Sequence, residues 1–106
     1  QVLPTGPLPP NPSELLGSRR MAEIIARLRQ EADYLLFDSP PVAAVTDAAV
    51  LAPQVDGVVL VIMADKTKRE LAQRAKAALE KVGARLIGVV LNNVKYDTSL
   101  HNYYAD

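Results

Sequence analysis

Apolar residues form three continuous runs along the chain, at residues 34–37, 58–63 and 86–91. Short runs of this kind, rich in Val, Leu and Ile, are typical of strands that are buried on both faces of a sheet. Residues 1–3 are interpreted as the end of one further strand. Continuous apolar strands, in contrast to alternating ones, indicate a parallel sheet.

Between these runs, apolar residues recur at helical spacing in two segments. They are Met21, Ile24, Ile25 and Leu28 in the first segment, and Leu71, Ala75, Ala78, Leu79 and Val82 in the second. For the first helix, Asn11 is the predicted N-cap, Pro12 the first helical residue and Glu14 the partner of the cap. Gly17 is the position where this helix is expected to break.

The ends of the other helices are also marked in the sequence. A short helix is predicted over residues 47–52, with Thr46 or Asp47 as its cap. A T-x-x-E capping box at residues 67–70 predicts the start of the last helix. Gly83 is expected to end that helix in the left-handed conformation.

The predicted order is strand, helix, strand, helix, strand, helix, strand, which indicates an α/β fold with a parallel sheet and helices on both faces. The chain divides into a strand end and proline-rich loop at 1–12, an α/β core at 13–94 and a flexible tyrosine-containing tail at 95–106. In such sheets, ligands bind beyond the carboxyl ends of the strands. Residues that follow strands are therefore the first candidates for chemistry.

Charge and composition narrow the class of protein. The 12 basic and 12 acidic residues give a formal net charge of zero, which argues against a nucleic-acid partner. The absence of cysteine excludes disulfides and thiol nucleophiles and fits a reducing cytoplasm. The N-terminal residues have neither the basic nor the apolar region of a signal peptide.

Asp38 follows the apolar run at residues 34–37 directly. Four apolar residues and an aspartate form the pattern of a Walker B segment, whose carboxylate serves Mg²⁺ at a rigid strand end, often through water. The alternative interpretation is that Asp38 only begins a turn. The apolar residues and the aspartate alone favour the turn. The D-S-P-P sequence that begins at Asp38 favours the Walker B interpretation.

Three segments make the pattern specific: P-P-N-P-x-E-L-L at residues 9–16, D-[ST]-P-P at 38–41 and V-x-L-N at 89–92. With these segments in this order, nearly the whole chain resembles the bacterial tyrosine autokinases of capsule and exopolysaccharide synthesis. That family is grouped with the partition and cell-division-site ATPases in a superfamily with deviant Walker motifs. The resemblance implies the C-terminal portion of a P-loop kinase domain.

In function, the resemblance implies an ATP-dependent protein-tyrosine autokinase that regulates polysaccharide polymerisation and export. ATP and Mg²⁺ would be the cofactors of the intact protein, with Asp38 as its Walker B residue. The resemblance also implies a cytoplasmic location at the membrane, reached through an upstream domain or a membrane adaptor protein.

Three family motifs are absent from these 106 residues: the G-K-[ST] phosphate loop, the second aspartate motif and the Glu-Arg-Arg self-association motif. This polypeptide is therefore expected to bind no ATP and to be inactive by itself. In the superfamily, the strands that carry the phosphate loop and the second aspartate lie in the middle of the sheet. Without them an apolar strand edge is left open, which predicts self-association or marginal folding.

The resemblance assigns roles to two residues besides Asp38. Asn92 would contact the adenine of ATP, and the alternative is an ordinary turn residue. Asp47 would lie near the phosphates, and the favoured alternative is an acid that interacts with the helix dipole. Three basic residues follow a strand and are interpreted as a solvated helix start, and the alternative is that they approach nucleotide or an acidic partner: Lys66, Lys68 and Arg69.

The tail contains three tyrosines, Tyr96, Tyr103 and Tyr104. In the resembled family a C-terminal tyrosine cluster is autophosphorylated, and the alternative is that these are ordinary tail residues. Tyr34 is interpreted as a structural residue of a core strand, and His101 as a tail residue with no metal-binding partner.

Two alternatives to the kinase stay open at this point. A partition-type ATPase of the same superfamily would hydrolyse ATP and position cargo, but the P-P-N-P-x-E-L-L segment and the tyrosines favour the kinase. A non-catalytic module that binds a partner is favoured by the missing phosphate loop.

Overall fold

The computed structural model describes residues 1–95, which form four α-helices, one 3₁₀ turn and two strands. In chain order these are α1 (Pro12–Leu16), α2 (Arg19–Glu31), α3 (Asp47–Leu51), the 3₁₀ turn (Ala52–Gln54), β1 (Val58–Met63), α4 (Arg69–Lys81) and β2 (Leu86–Asn92).

The two strands lie side by side and parallel, with α4 as the connection between them. Val58 is opposite Leu86 and Met63 is opposite Asn92, with one irregularity in register between Val58 and Val59. The predicted α/β class is thereby confirmed. The predicted strands at residues 58–63 and 86–91 are also confirmed.

Gly17 separates α1 from α2, as predicted. The second helix begins with a side-chain cap that the sequence analysis missed, since the Ser18 hydroxyl accepts a hydrogen bond from Met21 N at 3.2 Å. Asn11 occupies the N-cap position of α1 as predicted, but its side chain donates to Glu14 Oε2 and caps no backbone N–H.

The last helix starts one residue later than the capping box predicts. Its N-cap is Lys68, without a side-chain cap. Thr67 is used elsewhere, because its Oγ1 accepts a hydrogen bond from Met63 N at the end of β1. The predicted stop is confirmed: Gly83 has φ of 74°, and Ala84 N donates to Leu79 O.

The predicted strands at residues 34–37 and 1–3 are wrong for this structure, which has no strand at either place. Residues 34–37 are neither helix nor strand, and their side chains alternate between half-buried (Leu35, Phe37) and exposed (Tyr34, Leu36). A strand exists only when a neighbour completes its ladder of hydrogen bonds. Within residues 1–95 only β1 and β2 pair, so no strand neighbour is present.

The fully buried core of the described residues is small and apolar. It consists of Ile25, Leu51, Ala52, Ala75 and Leu79. Much of the sheet stays exposed, including Val61 at 60 % and Val89 at 56 %. An exposed apolar sheet is unusual for a parallel α/β protein, where helices normally cover both faces.

Candidate functional site

Asp38 directly follows the apolar residues 34–37, and its side chain is exposed. Half-buried Leu35 and Phe37 hold one side of that segment against the protein, and Pro40 and Pro41 follow. Within residues 1–95, Asp38 takes part in no hydrogen bond or ion pair with another side chain. Its carboxylate is therefore free to accept an external ligand, but its strand-end setting is not formed.

The described residues fit a Mg²⁺ ion whose coordination is shared between one carboxylate of the protein and the phosphates of a nucleotide. Among residues 1–95 no group of three or more His, Asp or Glu side chains is placed to hold a metal ion. Mg²⁺ in phosphoryl-transfer sites is commonly held by one or two carboxylates together with substrate phosphates and water. A single exposed carboxylate at Asp38 fits that shared mode, in which the nucleotide completes the coordination.

Asn92 is the last residue of β2, at the edge where the carboxyl ends of both strands lie. Its main-chain oxygen accepts a hydrogen bond from Ala64 N at 2.8 Å. Its side-chain Oδ1 accepts from Asn93 N at 2.8 Å, and Asn93 has φ of 57°. The turn thus uses the side-chain oxygen, and the Nδ2 amide of Asn92 takes no part in this hydrogen bond.

Asp47 lies in a polar cluster with Ser13 and Thr46 that the sequence analysis missed. The Ser13 hydroxyl donates to Asp47 Oδ1 at 2.6 Å and lies 2.8 Å from Thr46 Oγ1. These bonds join α1 to the start of α3, across 33 and 34 residues of chain. No local spacing signals such a contact. It gives Asp47 a structural role, although one carboxylate oxygen remains available.

The three basic residues that follow β1 are exposed. Asp65, in the turn just before them, has φ of 60°. Within residues 1–95, Lys66, Lys68 and Arg69 form no ion pair. The prediction of a solvated helix start agrees with this exposure.

The predicted site residues form no connected polar cluster within residues 1–95. Within residues 1–95, no hydrogen bond joins Asp38, Asp47 or Asn92 to another of the three. A shallow concavity does exist elsewhere, lined by Ala22, Ile25, Ala26, Arg29 and Gln54. None of the predicted site residues belongs to it.

The four tyrosines divide into two groups. Tyr34 is 88 % exposed, so the interpretation of Tyr34 as a residue of a core strand is wrong for this structure. Residues 34–37 have no strand neighbour within residues 1–95, and the residues of that range leave most of the Tyr34 ring uncovered. Tyr96, Tyr103 and Tyr104 lie outside the described residues, as does His101.

Comparison with known proteins gives close relatives. The tyrosine-protein kinase YwqD of Bacillus subtilis is 43% identical over 105 residues, which are 98% of this chain and 44% of that protein. The tyrosine-protein kinase CpsD of Streptococcus agalactiae is 35% identical over 105 residues, 99% of this chain and 46% of that protein. No protein-family model matches the chain.

A solved structure agrees with these relatives in fold. The kinase domain of VpsO superposes with a TM-score of 0.78 and 38% identity, over 85% of this chain and 44% of that domain. The chain thus spans less than half the length of the kinases it matches.

The parallel α/β architecture and the D-S-P-P segment define a part of a P-loop kinase domain. More particularly, the chain is homologous to the C-terminal part of the bacterial tyrosine-protein kinases. The resemblance given above is thereby confirmed.

Proposed function

We propose that this chain supplies the C-terminal part of an ATP-dependent protein-tyrosine autokinase. The observation that carries the proposal is the match to YwqD along nearly the whole chain, with Asp38 exposed at the end of an apolar segment. The phosphate loop, which these residues do not contain, belongs to the other part of the active site.

Three residues have roles in the proposed site. Asp38 would hold Mg²⁺ through water, and the bound metal would supply charge neutralisation at the ATP phosphates. Asn92 donates its side-chain N–H to adenine. Asp47 would lie near the ATP phosphates, and the Ser13 hydroxyl, which donates to its Oδ1 at 2.6 Å, would hold it there.

The reaction moves the γ-phosphoryl group from ATP to a tyrosine Oη, with ADP as leaving group and loss of the phenolic proton. Such transfer depends on positioning and on charge neutralisation rather than on covalent chemistry by the protein. The proposed acceptors are Tyr96, Tyr103 and Tyr104 in the tail of a neighbouring molecule.

We assign the kinase to polysaccharide polymerisation and export at the cytoplasmic side of the membrane, with a membrane adaptor or an upstream membrane domain as partner. The helices formed by residues 1–95 are all too short or too polar to cross a bilayer.

The metal role of Asp38 is tested by Asp38→Asn in a kinase completed with the part of YwqD that precedes its match. The change is nearly isosteric but removes the charge that attracts Mg²⁺, so autophosphorylation should fall by about 10²-fold or more. Incorporation of phosphate from labelled ATP, measured over a range of Mg²⁺ concentrations, gives the result.

Asp33→Asn is the matched control, because Asp33 is also an exposed carboxylate and precedes the same segment. It should leave the rate and its Mg²⁺ dependence unchanged. Normal activity and normal Mg²⁺ dependence of Asp38→Asn would show that Asp38 is only a loop residue.

A further inference from the structure

The segment of residues 38–46, which begins with the proposed metal residue, has few contacts with the rest of the chain. Only Val42 in this segment is half-buried, and the other residues are exposed. Two hydrogen bonds within the segment end on Pro41 O, and they form a local turn without connecting it to another element. The position of the segment therefore depends largely on what holds its two ends.

Three side chains form a hydrogen-bonded series at the far end of this segment. Ser13 Oγ donates to Asp47 Oδ1 at 2.6 Å and lies 2.8 Å from Thr46 Oγ1. A serine hydroxyl has a single proton. Because Ser13 gives that proton to Asp47, Thr46 is the donor in the second contact. Both hydroxyls thus direct their protons toward the Asp47 carboxylate.

The two hydroxyls in this series are not used for helix capping. Thr46 is the N-cap residue of α3, where a hydroxyl ordinarily accepts from a backbone N–H, but its side chain makes no such bond. A bond from a hydroxyl to a carboxylate is shorter and stronger than one between neutral groups, which agrees with the 2.6 Å distance. The series therefore connects α1 to the start of α3 through its strongest available acceptor.

A second contact joins the same two helices at a distance from Asp47 in the chain. Gln54 Nε2 donates to Leu16 O at 2.9 Å and to Val50 O at 3.3 Å. This contact attaches the end of α1 to α3 and to the 3₁₀ turn. Loss of the Ser13 hydroxyl would therefore leave one attachment between α1 and α3 in place.

We infer that Ser13 is a positioning residue, whose bond to Asp47 anchors the whole segment of residues 38–46. This bond, the Ser13 anchor, fixes one carboxylate oxygen of Asp47 and the end of the segment that starts at Asp38. The inference rests on the function proposed above, in which both carboxylates serve ATP and its metal. Phosphoryl transfer depends on positioning, so a freed segment would lower the activity while both carboxylates are still present.

Thermolysin cleavage tests the anchor without phosphoryl transfer, in the kinase completed with the part of YwqD that precedes its match. Thermolysin cuts before apolar residues, which residues 42–45 supply. Cleavage there, located by mass spectrometry, should be about tenfold faster in Ser13→Ala, because loss of a hydrogen bond to a charged group populates the open segment. Ser13→Thr keeps the hydroxyl and should be cut at the unaltered rate. An unchanged rate in Ser13→Ala would overturn the anchor.

Gln54→Ala is the matched control, because it removes the other contact between α1 and α3 and leaves the Ser13 bond intact. If Ser13 only helps to pack the two helices, both variants should be cut faster at residues 42–45. The anchor predicts faster cleavage there for Ser13→Ala alone. Equal acceleration in the two variants would contradict the proposal.

The consequence for the site is measured as kcat/KM for MgATP in the same completed kinase. It should fall by about tenfold in Ser13→Ala and stay at the unaltered value in Ser13→Thr and Gln54→Ala. Faster cleavage of Ser13→Ala with an unchanged kcat/KM would overturn its positioning role. Failure of the proposed function would appear as no phosphoryl transfer by the unaltered kinase, and the cleavage rates would still decide whether Ser13 anchors the segment.

Discussion

At the scale of single residues, hydroxyl groups decide several local features that sequence patterns assigned differently. The T-x-x-E pattern pointed to Thr67 as a cap, but its hydroxyl accepts from Met63 N instead. Ser18, which has no matching acid three residues later, is the side chain that caps α2. The Ser13–Asp47 contact was beyond prediction, because it depends on tertiary packing across 34 residues.

Ser18→Ala should destabilise the chain by about 1 kcal/mol, because Met21 N then loses its partner. Loss of helical signal in a urea titration of the kinase completed with the part of YwqD that precedes its match measures the effect. Ser18→Thr keeps a capping hydroxyl and is the control, with an expected change of only a few tenths of a kcal/mol. Equal stability of Ser18→Ala and the unaltered chain would show that the cap contributes nothing.

At the scale of elements, the predictions that were correct concern features that depend on neighbouring residues in the sequence. The strands β1 and β2, the break at Gly17 and the stop at Gly83 were all predicted, since each depends on a run of side chains or on one backbone preference. Residues 34–37 have an equally apolar pattern and were predicted as a strand, but no partner lies beside them. Strand formation depends on a distant neighbour, which a local pattern does not contain.

Leu79→Ala should unfold α4 or weaken it severely, because Leu79 is 1% exposed and such a truncation costs about 2–5 kcal/mol. Leu71→Ala is the control on the same helix, since Leu71 is 44% exposed. Circular dichroism at increasing temperature compares the two variants in the kinase completed with the part of YwqD that precedes its match. A loss of stability as large for Leu71→Ala would mean that the core lies elsewhere.

At the scale of the whole molecule, a small core and an open sheet are the main features. Five buried apolar residues support four helices and two strands in residues 1–95, with apolar side chains of β1 and β2 exposed. The candidate site is also incomplete: within residues 1–95, no hydrogen bond connects Asp38, Asp47 and Asn92 to one another. The class of protein was predictable from motif order, whereas the arrangement of these three residues was not, because it depends on packing between segments that are far apart in the chain.

The isolated chain should therefore self-associate or unfold without a sharp transition, because an unpaired strand edge invites pairing with other chains. Even intact domains have only about 5–15 kcal/mol of stability. Sedimentation at several concentrations, together with thermal unfolding, measures both properties. A monomer with a sharp transition that is independent of concentration would contradict this expectation.

The central claim is that this chain is the C-terminal part of a tyrosine autokinase, and phosphorylation of its tail tests that claim most directly. The 106-residue chain is incubated with MgATP and active YwqD, and phosphotyrosine is located by mass spectrometry. We expect phosphate on Tyr96, Tyr103 or Tyr104, and none in the tail of the variant with all three changed to Phe. Exposed Tyr34 is the internal comparison. Phosphate on Tyr34 at a comparable level, or no phosphotyrosine at all, would contradict the account.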